Sequence, residues 1–145
     1  MDDNFIFVND VGPRDGLQNQ TIDVSPETRV KLIEKLLDAG VPGVEVASFV
    51  SPTAVPRMAG AGDIVRALKG RKAALSALVP NLKGYEMARD AGAKIISVVP
   101  SATETMNQKN INMSYEDILA LSCDLMRCAR DDGIKGQAYV SVAFE

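Results

Sequence analysis

Arg14 and Asp15 stand side by side at the end of an apolar run, Phe5-Ile6-Phe7-Val8, that reads as a short buried strand. Gly12, Pro13 and Gly16 punctuate the chain around them, so both charges fall where the strand gives way to a turn. The guanidinium of Arg14 is a fixed positive fork that can hold a carboxylate or a developing oxyanion. The carboxylate of Asp15 is a hard oxygen ligand of the kind Mg2+ and Mn2+ take. Taken alone, the pair reads first as a surface ion pair in a turn. Glu45 is a third candidate, flanked by Val44 and Val46 in a strand that should be buried. A buried carboxylate needs a cation, a hydrogen-bond donor or a raised pKa. Alternate residues of a barrel strand point inward, so Glu45 is expected to face Arg14 and Asp15, or else to neutralise another interior cation. Ser48 offers a hydroxyl close to the same strand end.

The elements that must position these groups alternate strand and helix, the pattern of an α/β fold with a parallel sheet. Strands are expected over 5–11, 43–47, 73–79, 94–99 and 137–144. Ser25-Pro26-Glu27 predicts a helix start, with Ser as N-cap, Pro at the first helical position and Glu in the first turn. Val30, Ile33, Leu36 and Leu37 recur at helical spacing and predict the face that packs on the sheet, with Gly40 ending the helix. Helices are further expected over 61–69, closed by Gly70, and over 82–91, capped by Asn81 and stopped by Gly92. Another starts at Ser114, buries Ile118, Leu121, Leu125, Cys128 and Ala129, and ends at Gly133. The stretch 101–113 reads as a long polar loop, and its Lys109, Asn110 and Asn112 are candidates either to contact a phosphorylated ligand or to cap backbone. The strand-loop-helix unit recurs four times before a final strand. Each strand end carries polar or special residues, which is where (β/α)8 enzymes place their chemistry.

Bulk properties narrow the function classes. The chain has 145 residues and a net charge of -3, one domain's worth with a real core. Its basic residues are scattered, so a nucleic-acid partner is not expected. No apolar stretch approaches the ~20 residues that cross a bilayer, so no membrane partner is expected. The acidic start, Met1-Asp2-Asp3-Asn4, lacks the order of a signal peptide, and a cytoplasmic location is the expectation. Cys123 and Cys128 lie about 140° apart around a helix axis and read as buried or half-buried free thiols rather than a metal or redox motif. The chain has no histidine, which excludes a Ser-His-Asp triad or a His base within it.

The string Val11-Gly12-Pro13-Arg14-Asp15-Gly16-Leu17-Gln18-Asn19 is more specific than the Arg-Asp pair. It resembles the end of the first strand in the 3-hydroxy-3-methylglutaryl-CoA lyase family, a branch of the metal-dependent lyases built on the TIM barrel. The resemblance continues through Glu45-Val46-Ala47-Ser48-Phe49-Val50-Ser51-Pro52, Val55-Pro56-Arg57-Met58, Pro80-Asn81-Leu82-Lys83-Gly84-Tyr85 and Lys109-Asn110-Ile111-Asn112. It implies a (β/α)8 TIM barrel, of which this chain would supply about four βα units plus strand five, as the N-terminal part of one catalytic domain. The implied reaction is a metal-assisted retro-Claisen cleavage of an acyl-CoA thioester to acetyl-CoA and acetoacetate. By the same resemblance, Asp15 would be one ligand of Mg2+ or Mn2+, and Arg14 would bind the thioester carbonyl and stabilise its enolate. Glu45 would orient Arg14 or tune proton transfer, while Gln18 and Ser48 would contact substrate. The family's His-x-His metal ligands, a later Asn ligand and a catalytic Cys belong to segments that follow strand five and are not in this chain. The Thr-rich relatives that act on other acyl-CoA or 2-oxo acids are the alternative, as is an inactive half-barrel acting in assembly. A typical barrel needs ~250 residues. Strands one and five are therefore expected as open edges, and a homo-oligomer, a dimer, is expected of the isolated half.

Overall fold

A computed structural model describes residues 6–144. Five strands, β1 (Asn9–Asp10), β2 (Gly43–Ser48), β3 (Ala74–Leu78), β4 (Ile95–Val98) and β5 (Lys135–Ala138), form one sheet in the order β1-β2-β3-β4-β5. Every neighbouring pair is parallel. Sequential parallel strands require a crossover each, and the crossovers are helical: α1 (Pro26–Asp38), α2 (Ala61–Ala67), α3 (Leu82–Ala91), then α4 (Glu104–Ile111) and α5 (Tyr115–Asp131) together. The core lies between the helices and the sheet, where Ile33, Ile64, Leu68, Ala88 and Leu125 meet Val44, Val46, Ala77, Ile96 and Val98. The sheet is curled: the Asn9 side-chain amide on β1 donates to the Tyr139 hydroxyl just past β5, 2.8 Å away. Opposite edges of a five-stranded sheet meet through their side chains only if the sheet bends toward a barrel.

The local signals behave as their chemistry predicts. Ser25 caps α1 through the Thr28 amide, Asn81 caps α3 through the Gly84 amide, and Ser114 caps α5 through the Asp117 amide. Gly40, Gly70, Gly92 and Gly133 leave their helices at positive φ, the conformation that a residue without Cβ adopts at no steric cost.

Four expectations are corrected. The first strand pairs over only two residues; Phe5 lies outside the described residues, and Ile6, Phe7 and Val8 are exposed. As an edge strand, β1 has a neighbour on one side alone, so its apolar run is not covered here. The fifth strand pairs at 135–138 rather than 137–144, with one further bridge from Ser141 to Ser101. The long loop over 101–113 contains α4, capped by Thr103 through the Met106 amide. It escaped detection because its apolar residues do not repeat on one face. Its anchor is polar instead: buried Asn107 accepts from the Ser101 amide at 2.9 Å and donates to the Ser101 carbonyl at 3.1 Å. Finally, Cys123 is exposed, while Cys128 is half-buried as expected. Ile118, Ser122, Leu125 and Ala129 form the buried stripe of α5, and Cys123, next to Ser122, is rotated about 100° off it.

Gly84 shows how tightly α3 seats on the strand ends. An added Cβ there would lie 2.7 Å from the Phe49 carbonyl oxygen and 2.9 Å from Pro80 Cδ. The Gly84→Ala variant of the full-length protein is expected to lose about 1–3 kcal/mol by overpacking, read as a lower urea midpoint at unchanged slope. An unchanged midpoint would show that α3 shifts freely.

Candidate functional site

The chain leaves β1 through a tight π-helical turn, Gly12–Gly16, in which the Val11 carbonyl accepts from the amides of Arg14, Asp15 and Gly16. Single π turns of this kind recur at functional sites because they redirect side chains within one turn. Here the turn sends Arg14 across to β2. Arg14 Nε donates to Glu45 Oε1 at 2.5 Å, and Arg14 Nη1 donates to Asp15 Oδ1 at 2.7 Å. The Arg14 side chain is 12 % exposed, Glu45 is completely buried, and Asp15 is 54 % exposed. The second oxygen of Glu45 is also engaged: Ser97 on β4 donates its hydroxyl to Oε2 at 2.5 Å. Both oxygens of the buried carboxylate therefore have donors, as its burial demands. No described residue accepts from Arg14 Nη2, so that end of the fork remains for an anionic oxygen.

These groups sit at the mouth of a cavity of about 530 Å3 at the carboxyl ends of the strands. Arg14, Asp15 and Gln18 line it from the first turn, Val50 from the end of β2, Leu78 and Pro80 from β3, and Tyr139 from beyond β5. Met106, Asn110 and Ile111 of α4 close one side. Gln18 is half-buried, and its Oε1 is buried without a hydrogen-bond partner among the described residues. Of the three residues singled out in the former loop, only Asn110 lines the cavity, and Asn112 is the left-handed C-cap of α4 at φ 53°.

Ser48 is placed differently from the others. It is fully buried and its hydroxyl has no partner, but it borders a second cavity of about 430 Å3 with Met58, Arg66 and Met87. It is therefore not brought together with Arg14 and Asp15.

Four side chains that the sequence reading does not single out also belong here: Ser97, Tyr139, Asn9 and Gln137. The Tyr139 hydroxyl accepts from both Asn9 Nδ2 and Gln137 Nε2, each at 2.8 Å. Burial, and then the charge of Glu45, hold its phenol above the usual range, so it stays protonated and keeps a proton to donate. The usable signal was spacing: Gln137 and Tyr139 lie two residues apart and so fall on one face of an extended segment, whereas residue type alone does not mark Ser97.

The described residues do not complete a metal centre. Asp15 fits as one hard-oxygen donor at the open rim, but no group of three or more His, Cys, Asp or Glu side chains gathers there to hold an ion.

What the arrangement can do on its own is hold a positive fork, rigidly aimed, over a largely apolar cavity. Comparison with known proteins places the chain in a family. The chain is 42% identical over 139 residues to the mitochondrial hydroxymethylglutaryl-CoA lyase of Rattus norvegicus, covering 95% of this chain and 43% of the rat protein. It is 39% identical over 150 residues to (R)-citramalyl-CoA lyase of Chloroflexus aurantiacus, covering 96% of this chain and 47% of that enzyme. An HMG-CoA lyase from Acinetobacter baumannii, solved with coenzyme A and 3-methylmalate, superposes with a TM-score of 0.84 at 29% identity, over 91% of this chain and 43% of that one. The chain thus spans less than half the length of each of these relatives, and its sheet matches the first part of their TIM barrel. The sequence pattern of the HMGL-like family matches residues 5–145, so the chain belongs to the HMGL-like family.

Proposed function

We propose that this chain carries the N-terminal part of the active site of a carbon-carbon lyase that cleaves 3-hydroxy-3-methylglutaryl-CoA to acetyl-CoA and acetoacetate. The observation that carries this reading is the Arg14 fork, fixed by Glu45 at the cavity mouth with Nη2 open. In a retro-Claisen cleavage the tertiary alcohol loses its proton, the bond between C2 and C3 breaks, and its electron pair passes to the thioester carbonyl as an enolate. The enolate carbon then takes a proton to give acetyl-CoA. Charge develops on the thioester oxygen as the bond breaks, and in this reading Arg14 binds that oxygen and stabilises it. Glu45 holds Nε and Asp15 holds Nη1, so the fork cannot swing away, and Ser97 holds Glu45 in turn. Orientation achieved before substrate arrives costs no reorganisation during the reaction.

Asp15 would supply one oxygen ligand to a divalent cation, Mg2+ or Mn2+, which would act as a Lewis acid on the substrate oxygens. The open edges at β1 and β5 are where further βα units of the whole barrel join. A citramalyl-CoA-type substrate is the second reading, supported by the Chloroflexus relative, and assay of the full-length protein with both thioesters separates the two.

Two outcomes test the assignments in the full-length protein. Arg14→Gln is expected to lower kcat by about 10²- to 10³-fold, the range for removing one preorganised donor, while Mn2+ affinity stays near its original value. Near-normal acetoacetate release by that variant would sink the role of Arg14. Asp15→Ala is expected to weaken Mn2+ binding at least about tenfold in a calorimetric titration. An unchanged isotherm would remove Asp15 from the ligand set.

A further inference from the structure

Arg29 is the largest fully buried side chain in the described structure, and the site as proposed makes no use of it. It projects from the first turn of α1 into the core. No carboxylate among the described residues lies within ion-pair distance. Its partners are instead three backbone carbonyls and a sulfur. Nη2 donates to the Val46 carbonyl at 3.5 Å and lies 3.7 Å from Met58 Sδ. Nη1 lies 3.4 Å from the Arg57 carbonyl and 3.3 Å from the Ala59 carbonyl. An apolar side chain of similar volume would avoid the desolvation cost of a buried, unpaired cation. The question is what the guanidinium does there that an apolar residue would not.

The sheet register supplies the answer. Glu45 pairs with Ser76 and Ala47 pairs with Ala77, so Val46 has no partner across the ladder: β2 carries a bulge at Val46. Bulges leave one residue unpaired, bend the strand and re-aim the side chains beside them. The side chain beside this one is Glu45, whose two oxygens reach Arg14 and Ser97. The backbone that Arg29 grips in β2 is the bulged residue itself, and its other nitrogen ties the turn around Pro56–Met58 to the same point.

We propose that Arg29 is a positioning residue: by holding the Val46 carbonyl it fixes the bulge in β2 and so aims the Glu45 carboxylate at Arg14. The catalytic consequence rests on the lyase reading above, but the structural consequence does not.

The test therefore has two arms, both in the full-length protein. The first follows the Arg14 Nε–H signal by 15N NMR, assigned by its loss in Arg14→Gln. In Arg29→Met, with a cooperative melt confirming the fold, hydrogen exchange at Arg14 Nε is expected to accelerate at least about tenfold, because the bond to Glu45 opens more often. Unchanged exchange in the folded variant would overturn the proposal. If Arg29→Met does not fold, Arg29→Lys serves. Its single ammonium keeps the charge but cannot span the bulge and the turn together, so the same acceleration is expected and the same constancy would overturn the proposal.

The second arm is a double-mutant cycle on turnover. Loss of Arg29 is expected to lower kcat about 10- to 100-fold with KM within about twofold, and to have less than about threefold further effect in a Glu45→Gln background. Equal losses in both backgrounds would show that Arg29 acts on stability and not through Glu45. Accelerated exchange in a protein that cleaves neither thioester would support the positioning role and overturn the lyase reading instead.

Discussion

A carboxylate sealed inside a sheet is the constraint around which this molecule is arranged. Glu45 has no exposure, so each of its oxygens must meet a donor within the fold. One donor is Arg14, delivered by the π turn after β1, and the other is Ser97, delivered by β4. Three elements far apart in sequence are thereby tied at a single point. Because an uncompensated buried charge costs several kcal/mol, the curl of the sheet and the geometry of the turn cannot vary independently of that contact. The same contacts leave Arg14 partly satisfied, with Nη2 lacking an acceptor among the described residues and the side chain lining the cavity, which is the property a binding site needs.

Around this point the fold adds polar anchors to its apolar core. Asn9, Gln137 and Tyr139 link the first strand to the segment beyond the last. Asn107 clamps the entry to α4 with two bonds to one residue, placing Met106, Asn110 and Ile111 against the cavity. On the helical side, the Tyr85 hydroxyl donates to Asp132 at 2.6 Å, and burial together with that carboxylate holds its proton on. These directional contacts specify angles, whereas the aliphatic core between helices and sheet specifies only proximity.

Arg29 belongs to the same logic. Burial pushes its guanidinium below the usual arginine range, the expected direction for a cation taken out of water without a counter-charge. Carbonyl dipoles from a bulge and a turn compensate part of that cost. The arrangement joins helix, strand and loop, and it accounts for an irregularity in β2 that would otherwise be a defect next to the site.

The residues that act locally were legible in the chain itself. Ser25, Asn81 and Ser114 cap helices, and Gly40 and Gly92 end them, through contacts within a few residues, so their types and spacing suffice. The alternation of strands and helices implied a parallel sheet, and the Arg14-Asp15 string together with Glu45 implied a shared strand-end site; the structure brings the three side chains into contact. What depended on distant contacts was not legible. The partner of Glu45 on β4 is 52 positions away, and Ser97 looks like any small strand residue until the sheet curls. Ser48, three residues from Glu45 along β2, lines a different cavity, as strand alternation over an odd spacing would place it. Helix α4 was hidden because a buried asparagine, not an apolar stripe, anchors it. Arg29 reads as one more charge on an amphipathic helix, and only its burial beneath the β2 bulge reveals otherwise. Sequence alone therefore determined most of the elements, their order and the candidate chemistry at the strand ends, because propensity, capping and periodicity act over a few residues. Tertiary structure decided which way each side chain points and which buried polar groups satisfy one another, because those are set by register, bulges and curvature summed over the whole sheet.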